Sequence, residues 1–386
     1  MENFNPGEIA QKILDAVRKE YAELTRLNVM VLGKTGVGKS TLINNLFLRK
    51  VAETGVGRPV TAGIRKIELP DYPLAIYDTP GLELSGGHDV DSLLDQVIGQ
   101  IRAEFESGEI SRAIHCVLYC VGTPSHRFEQ AERDFLQRLL TGVACFHAPV
   151  IVVLTQSYSN ADARALKAAI ERENLAIANV VPVLAEDYEI DEDYTARAFG
   201  LDRLSEVMNS VIPEAVQKTF IALQAASLEL KKGKARSIVA ASAATAATTG
   251  AVPIPFSDAA LLVPEQIAML AGITAVFGIP MEKASLTAIL SATIGTTGAT
   301  VLGRSVVGGL LKLIPGAGSI AGGVISGAAA AAITTALGEA YIGVLARIYT
   351  GEMQAADLTT AAGREEVARA FTEQLRRRRN RDGKSG

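Results

Sequence analysis

Hydrophobic positions in the first half of the chain fall into two alternating rhythms. Short apolar runs stand at "NVMVL" (28–32), before "DTPG" in "YPLAIYDTPG" (72–81), at "AIHCVLYC" (113–120), at "PVIVVLT" (149–155) and at "NVVPVLA" (179–185). Each is short and β-rich, as strands buried on both faces are. Between them lie segments of helical spacing such as "RFEQAERDFLQRLL" and "ADARALKAAIEREN". Strands alternating with helices at this spacing predict a doubly wound α/β sheet, whose ligands bind at the carboxyl ends of its strands. The chain opens differently. Ile9, Ile13, Val17 and Tyr21 recur every four residues after Asn5-Pro6, which predicts an amphipathic helix within 1–27. No apolar run precedes it, so no secretory signal peptide is expected.

From 198 to 236 the pattern is long and helical, and then polarity nearly vanishes. Residues 237–346 hold only seven charged side chains: Asp258, Glu265, Glu282, Lys283, Arg304, Lys312 and Glu339. Uncharged stretches at 237–257, 284–303 and 313–338 reach or exceed the roughly 20 residues a bilayer span needs. Their composition weakens that reading, because Gly, Ala and hydroxyl residues dilute the strongly apolar ones and Pro253, Pro255 and Pro264 interrupt the chain. Gly318–Gly322 and Gly323–Gly327 have the G-x-x-x-G spacing that lets helices approach in lipid. The same small residues suit tight packing in a soluble bundle. The expected organisation is thus an N-terminal amphipathic helix (1–27), an α/β domain (28–218), an all-α, Ala/Gly-rich domain (219–350) and a C-terminal helix with a basic tail (351–386).

Charge sharpens this division. The 386 residues carry a net charge of −4, but up to residue 230 there are 22 Lys and Arg against 32 Asp and Glu, and beyond it 16 against 10. Basic runs, "KKGKAR" (231–236) and "LRRRRNR" (375–381), flank the apolar region. Such flanks predict association with an anionic membrane surface, peripheral or integral, at the inner face of the cell membrane. Nucleic acid is the rival partner for those arginines, but no aromatic interleaving or recognisable RNA module accompanies them. Cys116, Cys120 and Cys145 are odd in number, and the first two fall in an expected buried strand, so a disulfide framework is not expected and a cytoplasmic setting fits. His115 and His147 lie near cysteines without metal-ligand spacing.

The candidate chemistry begins where "NVMVL" runs into "GKTGVGKST" (33–41). Strand, Gly-rich loop and helix follow in the order a phosphate-binding loop requires. Gly33, Lys34, Thr35, Gly36, Val37 and Gly38 form the loop, whose backbone N–H groups would cradle phosphates at a helix N-terminus. Lys39 would reach the β- and γ-phosphates, Ser40 would ligate Mg²⁺, and Thr41 closes the motif. About forty residues on, Asp78 ends an apolar run in "DTPG" and would hold Mg²⁺ through water, with the Gly81 N–H on the γ-phosphate. Between them, Thr61 is the candidate whose hydroxyl and carbonyl close over Mg²⁺ and γ-phosphate.

"GKTGVGKST", "VTAGI" and "DTPG" resemble the Era/TrmE-type branch of P-loop GTPases over roughly residues 25–215. "VPIPFSDAALLVPEQIAML" (252–270) and "LLKLIPGAGSIAGG" (310–323) resemble the YcjF-like hydrophobic domain that some bacterial GTPases of this type carry. The resemblance implies GTP or GDP with Mg²⁺, hydrolysis of GTP with Lys39, Thr61 and Gly81 at the reacting phosphate, and pairing or oligomerisation through the GTPase domain.

Three departures qualify it. Where the family pattern reads Asn-Lys-x-Asp or Thr-Lys-x-Asp, this chain reads "TQSY": Thr155 matches, Gln156 replaces the Lys over the base, and Tyr158 replaces the Asp that accepts from guanine. Weaker guanine selectivity follows unless Glu186 or Asp187 in the neighbouring loop supplies an acceptor. Leu82 follows Asp-x-x-Gly where Ras-like enzymes place the water-orienting Gln, so intrinsic hydrolysis should be slow. Gly36 takes the place of the Asn found in potassium-using relatives, so potassium activation does not carry over. The leading expectation is a GTP-hydrolysing switch coupled to a membrane-associating domain. Its alternatives are a dynamin-like or immunity-related mechanochemical GTPase, and a weakly catalytic nucleotide-binding scaffold.

Overall fold

The computed structural model of the protein describes residues 5–54, 56–61, 64–79, 88–249, 264–294, 327–355, 357–365 and 369. The chain divides into two compact units, Leu24–Ser227, and Met1–Glu23 together with Leu228–Gly386.

In chain order the elements are α1 (Pro6–Ala22), β1 (Leu27–Gly33), α2 (Lys39–Leu46), α3 (Val51–Thr54), β2 (Val56–Thr61), β3 (Ile64–Glu68), β4 (Leu74–Asp78), α4 (His88–Glu106), β5 (Cys116–Gly122) and α5 (Gln130–Val143). They continue with β6 (Val150–Thr155), α6 (Asn160–Arg172), β7 (Asn179–Pro182), β8 (Tyr188–Asp191), β9 (Tyr194–Ala196), α7 (Leu201–Val211), α8 (Glu214–Leu223), α9 (Leu228–Thr249), α10 (Pro264–Phe277), α11 (Lys283–Ile294) and α12 (Gly327–Tyr349).

In the Leu24–Ser227 unit, seven strands form one sheet in the order β2-β3-β4-β1-β5-β6-β7. β1 runs parallel to β4 and β5, and β5, β6 and β7 continue the parallel set, whereas β2 and β3 add an antiparallel edge. β1 and β6 are buried at every position, which explains their unbroken apolar runs. Met30, Tyr77, Tyr119 and Val152 pack with Phe135 and Leu139 of α5 and Leu94 and Val97 of α4 into the main core. The parallel strands all end on one side of the sheet, and the phosphate loop, Asp78 and Thr155 lie there. The strand expected over 179–185 stops at Pro182. Leu184 then turns to bridge Phe199, and a separate two-stranded hairpin, β8–β9, fills the intervening chain.

In the other unit, Asn5 caps α1 by accepting from the Gly7 N–H at 3.0 Å, with Pro6 in the first turn. The buried residues Ile9, Ala10 and Ile13 set its inward face, and α1 packs on α10 and α11. A helix expected as a segment on its own is therefore part of this helical unit. α9 buries Lys231, Ala235, Val239, Ala243 and Ala246, one helical stripe of mostly small side chains. A Cβ added to Gly338 of α12 would lie 2.4 Å from Val239 Cγ2, so α9 and α12 approach closely because that position carries none.

Lys231 revises the basic flank read from "KKGKAR". It is fully buried, its Nζ donates to the Val276 carbonyl at 3.0 Å, and its ammonium lies 5.4 Å from the Tyr349 ring centre. Desolvation pulls its pKa down to about 7. Lys232 pairs with Glu229 and Arg236 with Glu339. Lys231 therefore does not face an anionic surface, and two of its basic neighbours are already paired. Among the described residues no helix is long and apolar enough to cross a membrane. Gly318, Gly322 and Gly323 of the G-x-x-x-G pairs, Pro253, Pro255 and the arginine run 376–379 lie outside the described residues, and Gly327 opens α12.

Candidate nucleotide-binding site

The phosphate loop leaves β1 at Gly33, whose φ is +144°. A Cβ there would stand 2.5 Å from the Cys120 carbonyl oxygen, so glycine is required where β1 and β5 lie side by side. Gly36 and Gly38 also take positive φ, +76° and +86°, and Gly38 is the N-cap of α2. Left-handed turns of this kind let successive N–H groups converge on an anion. Val37 is buried, with Gly122 of β5 as its neighbour. Thr35 and Ser40 are exposed and Thr41 is half-buried.

Lys39 opens α2 and folds back across the loop, donating from Nζ to the carbonyls of Gly33 at 2.9 Å and Lys34 at 3.1 Å. The Lys34 side chain turns away. Its Nζ lies 2.8 Å from Glu129 Oε2 and 3.3 Å from Glu132 Oε1, the two residues that form the capping box of α5. Burial alone would lower the Lys34 pKa, but the bonds to both carboxylates outweigh it and hold the pKa above the usual value. Of the expected ligand residues, Lys34 thus has only its backbone to offer phosphate.

Asp78 ends β4, in register with Val31 of β1 and Arg65 of β3. Desolvation raises its pKa, while the charges of Lys39 and Arg65 and the Thr79 N–H oppose that rise. Asp78 lies beside Val31 of β1, two residues before the phosphate loop begins, so the β4 end and the loop are neighbours at one sheet margin. Thr61 ends β2, half-buried and opposite Ile64. Because Arg65 pairs with Asp78, the Thr61–Ile64 end of that hairpin lies at the same sheet margin, two strands from Asp78. Gly81 and Leu82 lie outside the described residues.

At the other end of the site, Thr155 is buried and its hydroxyl donates to Val121 O at 3.2 Å, so it ties β6 to β5 rather than pointing outward. Gln156 adopts φ +53°, and its Nε2 donates to the Gly36 carbonyl at 3.0 Å. Tyr158 packs against Tyr188 of β8 in a tilted contact, with ring centres 4.3 Å apart. Glu186 is exposed beside them. Asp187 is engaged: Oδ1 accepts from the Ala198 N–H at 2.8 Å and Oδ2 pairs with Arg197 at 2.5 Å. The Ala198 N–H and Arg197 hold its carboxyl below the usual range. Of the two acceptors expected for a base, only Glu186 remains available.

Sequence reasoning missed Tyr188 and the Glu129–Glu132 clamp on Lys34. The hairpin did leave a trace in the period-2 pair Tyr188 and Ile190 followed by "DED". The remaining candidates resolve simply: His115 is buried, accepting from the Asn28 N–H and bonded to Ile110 O, and Cys116 and Cys120 are buried free thiols. Among the described residues no cluster of three or more His, Cys, Asp or Glu forms a metal site. Mg²⁺ bound with a nucleotide needs no such cluster, since phosphates and water complete its octahedron, and the hard oxygens of Ser40 and Asp78 suit that role.

A mostly parallel sheet with this loop at the end of β1 and an aspartate at the end of β4 defines the P-loop GTPase domain, a class that holds GTP or GDP with Mg²⁺. Residues 28–156 match the family described as 50S ribosome-binding GTPase, and residues 216–377 match a domain of unknown function, DUF697. The chain is similar to Septin-12 of Bos taurus, 28% identical over 232 residues that make up 53% of this chain and 59% of that protein. It is also similar to translocase of chloroplast 108 of Physcomitrium patens, 31% identical over 139 residues, 34% of this chain and 13% of that one. A solved septin GTPase domain from Chlamydomonas reinhardtii is 16% identical, with a TM-score of 0.33, covering 50% of this chain and 90% of the other. The chain spans about half the length of the curated septins it matches.

Proposed function

We propose that the protein is a Mg²⁺-dependent GTP-hydrolysing switch whose nucleotide state governs how its helical unit meets an anionic membrane surface. One observation carries the catalytic half: Lys39 lies across the phosphate loop, and Asp78 ends the neighbouring strand, in register with Val31 of β1. In this reading Lys39 binds the β- and γ-phosphates and Ser40 and Asp78 hold Mg²⁺, Asp78 through water. Thr61 and the Gly81 N–H close over the γ-phosphate. Leu82 cannot orient a water, so hydrolysis is slow in the isolated chain and rises when a second copy or a partner completes the site. Within the GTPase class we place the head nearer the septin and chloroplast-translocase relatives than the Era/TrmE type.

The membrane half rests on the apolar composition of 237–346 and on the arginines of the tail. We place the protein in the cytoplasm, at the inner face of the cell membrane. Phosphate release from GTP, measured with and without Mg²⁺ across a range of protein concentrations, tests the catalytic half; no release at any concentration would leave a binding scaffold. Flotation with anionic liposomes, with and without a non-hydrolysable GTP analogue and followed by a high-salt wash, tests the membrane half. Protein that stays off liposomes in every condition would refute it.

A further inference from the structure

The loop after β6 is pinned on both sides, and that fixes where Tyr158 stands. Gln156 bonds to the phosphate loop at Gly36 O. Ser157 is buried, its Oγ donating to Leu154 O at 2.9 Å and sharing a hydrogen bond with Thr123 Oγ1, while its N–H reaches Val183 O at 3.2 Å. Tyr158 emerges from this anchored turn and meets Tyr188 with ring planes 37° apart. Tyr188 is fixed in turn, because the bonds of Asp187 to Ala198 and Arg197 clasp the base of the hairpin one residue before it. The pair is not consumed by its own contact: Tyr158 is half-buried and Tyr188 remains 47% exposed. An aromatic surface thus stands beside the phosphate loop, on the side where a nucleotide extends from its phosphates towards the loops after β6 and β7.

We propose that the Tyr158–Tyr188 pair is the base platform of this site, against which the purine of a bound nucleoside triphosphate stacks. This rests on the reading of the phosphate loop as a nucleotide site. Every base presents a π-face, so stacking binds without discriminating, whereas a carboxylate would read the donor edge of guanine. Tyr158 stands at the position that would carry that carboxylate. Guanine and adenine nucleotides therefore bind with similar affinity, and the exposed Glu186 supplies whatever preference for guanine remains. The bland alternative is that the two rings only prop the hairpin.

The test is calorimetric titration of the full chain with GTP, ATP and inorganic tripolyphosphate in the presence of Mg²⁺. In Tyr158→Leu and in Tyr188→Leu, GTP and ATP should both weaken by about tenfold, the scale of one lost stack, while tripolyphosphate is unchanged. Tyr158→Phe should bind as the parent does. Tyr158→Asp should raise the ratio of GTP to ATP affinity by about tenfold, by restoring an acceptor to the guanine edge. Unchanged GTP affinity in both leucine variants would overturn the platform. So would a parallel loss of tripolyphosphate, which would mark the rings as props for the loop. A parent protein that binds neither GTP nor tripolyphosphate would instead refute the nucleotide reading beneath the inference.

Discussion

The two ends of the nucleotide site follow different rules. In the proposed reading the ligand at the phosphate end is invariant, so the protein needs a fixed backbone curl, one ammonium and one carboxylate, the roles assigned to Gly33, Gly38, Lys39 and Asp78. At the proposed base end Tyr158, packed against Tyr188, stands where the resemblance places a carboxylate, and Asp187 is bound to its own hairpin. If the proposed reading holds, holding a nucleoside triphosphate and recognising which one it is are tasks of separate residues. Changes at the phosphate end should therefore affect all nucleotides equally.

The largest expected effect is at Lys39. Its removal deletes the only ammonium found lying across the loop among the described residues, and a hydrogen bond to a charged group is worth about 1.5–3 kcal/mol. Lys39→Ala should weaken GTP, ATP and tripolyphosphate together, by roughly ten- to a hundredfold. Titration with all three checks the claim. A loss confined to GTP would erase the contrast between the two ends.

Gly33→Ala comes next. The new Cβ would be forced to within 2.5 Å of Cys120 O at φ +144°, and backbone strain of this kind costs about 1–3 kcal/mol. The loop should yield, lowering triphosphate affinity by about tenfold with a measurable drop in the denaturation midpoint of the Leu24–Ser227 unit. Parent-like affinity would show that the loop does not need its tight start against β5.

Acidity should separate the two ends more gently. Burial raises the Asp78 carboxyl above the ordinary aspartate range, so it begins to protonate at a higher pH than a free aspartate would. The Mg²⁺-dependent part of GTP affinity should accordingly fall severalfold as pH drops through that raised value. Asp187 shifts the other way. Held low by Ala198 and Arg197, it stays charged until pH falls below the ordinary range, and what it contributes to the hairpin persists through the window in which Asp78 titrates. Mg²⁺-free GTP binding should not fall across that window, since neutralising Asp78 removes a repulsion of the phosphates; a matching decline would place an acid-sensitive group at the base end as well.

How much of this was legible follows from the range of each interaction. The sheet could be read because β1, β5 and β6 are buried on both faces and announce themselves as apolar runs, and the phosphate loop because its chemistry is local to nine consecutive residues. Tyr188 could not be found that way. It reaches Tyr158 across thirty residues, and nothing in "EDYEID" marks one ring as a partner of another. The helical unit was legible as an all-α, apolar region but not in its packing, because its all-round apolar helices carry no face that names a neighbour. Lys231 consequently looked like part of an exposed basic flank, whereas α9 turns it inward onto Val276 and Tyr349.

The smallest effect should come from Lys34, and it tests whether a residue inside the motif belongs to the site at all. Its ammonium is held by Glu129 and Glu132, and both Lys34 and Glu129 remain partly exposed to solvent. Exposed ion pairs are worth about 0–1 kcal/mol, and salt screens them. Lys34→Gln keeps the backbone N–H and the length of the stem while removing the charge, so affinity for GTP and tripolyphosphate should change by about twofold or less at moderate salt. Any small loss should be matched by Glu129→Gln, since breaking the pair from either side frees the same segment of α5. A tenfold loss in Lys34→Gln alone would mean that this lysine leaves α5 to join Lys39 on the phosphates, making the phosphate end a two-cation clamp.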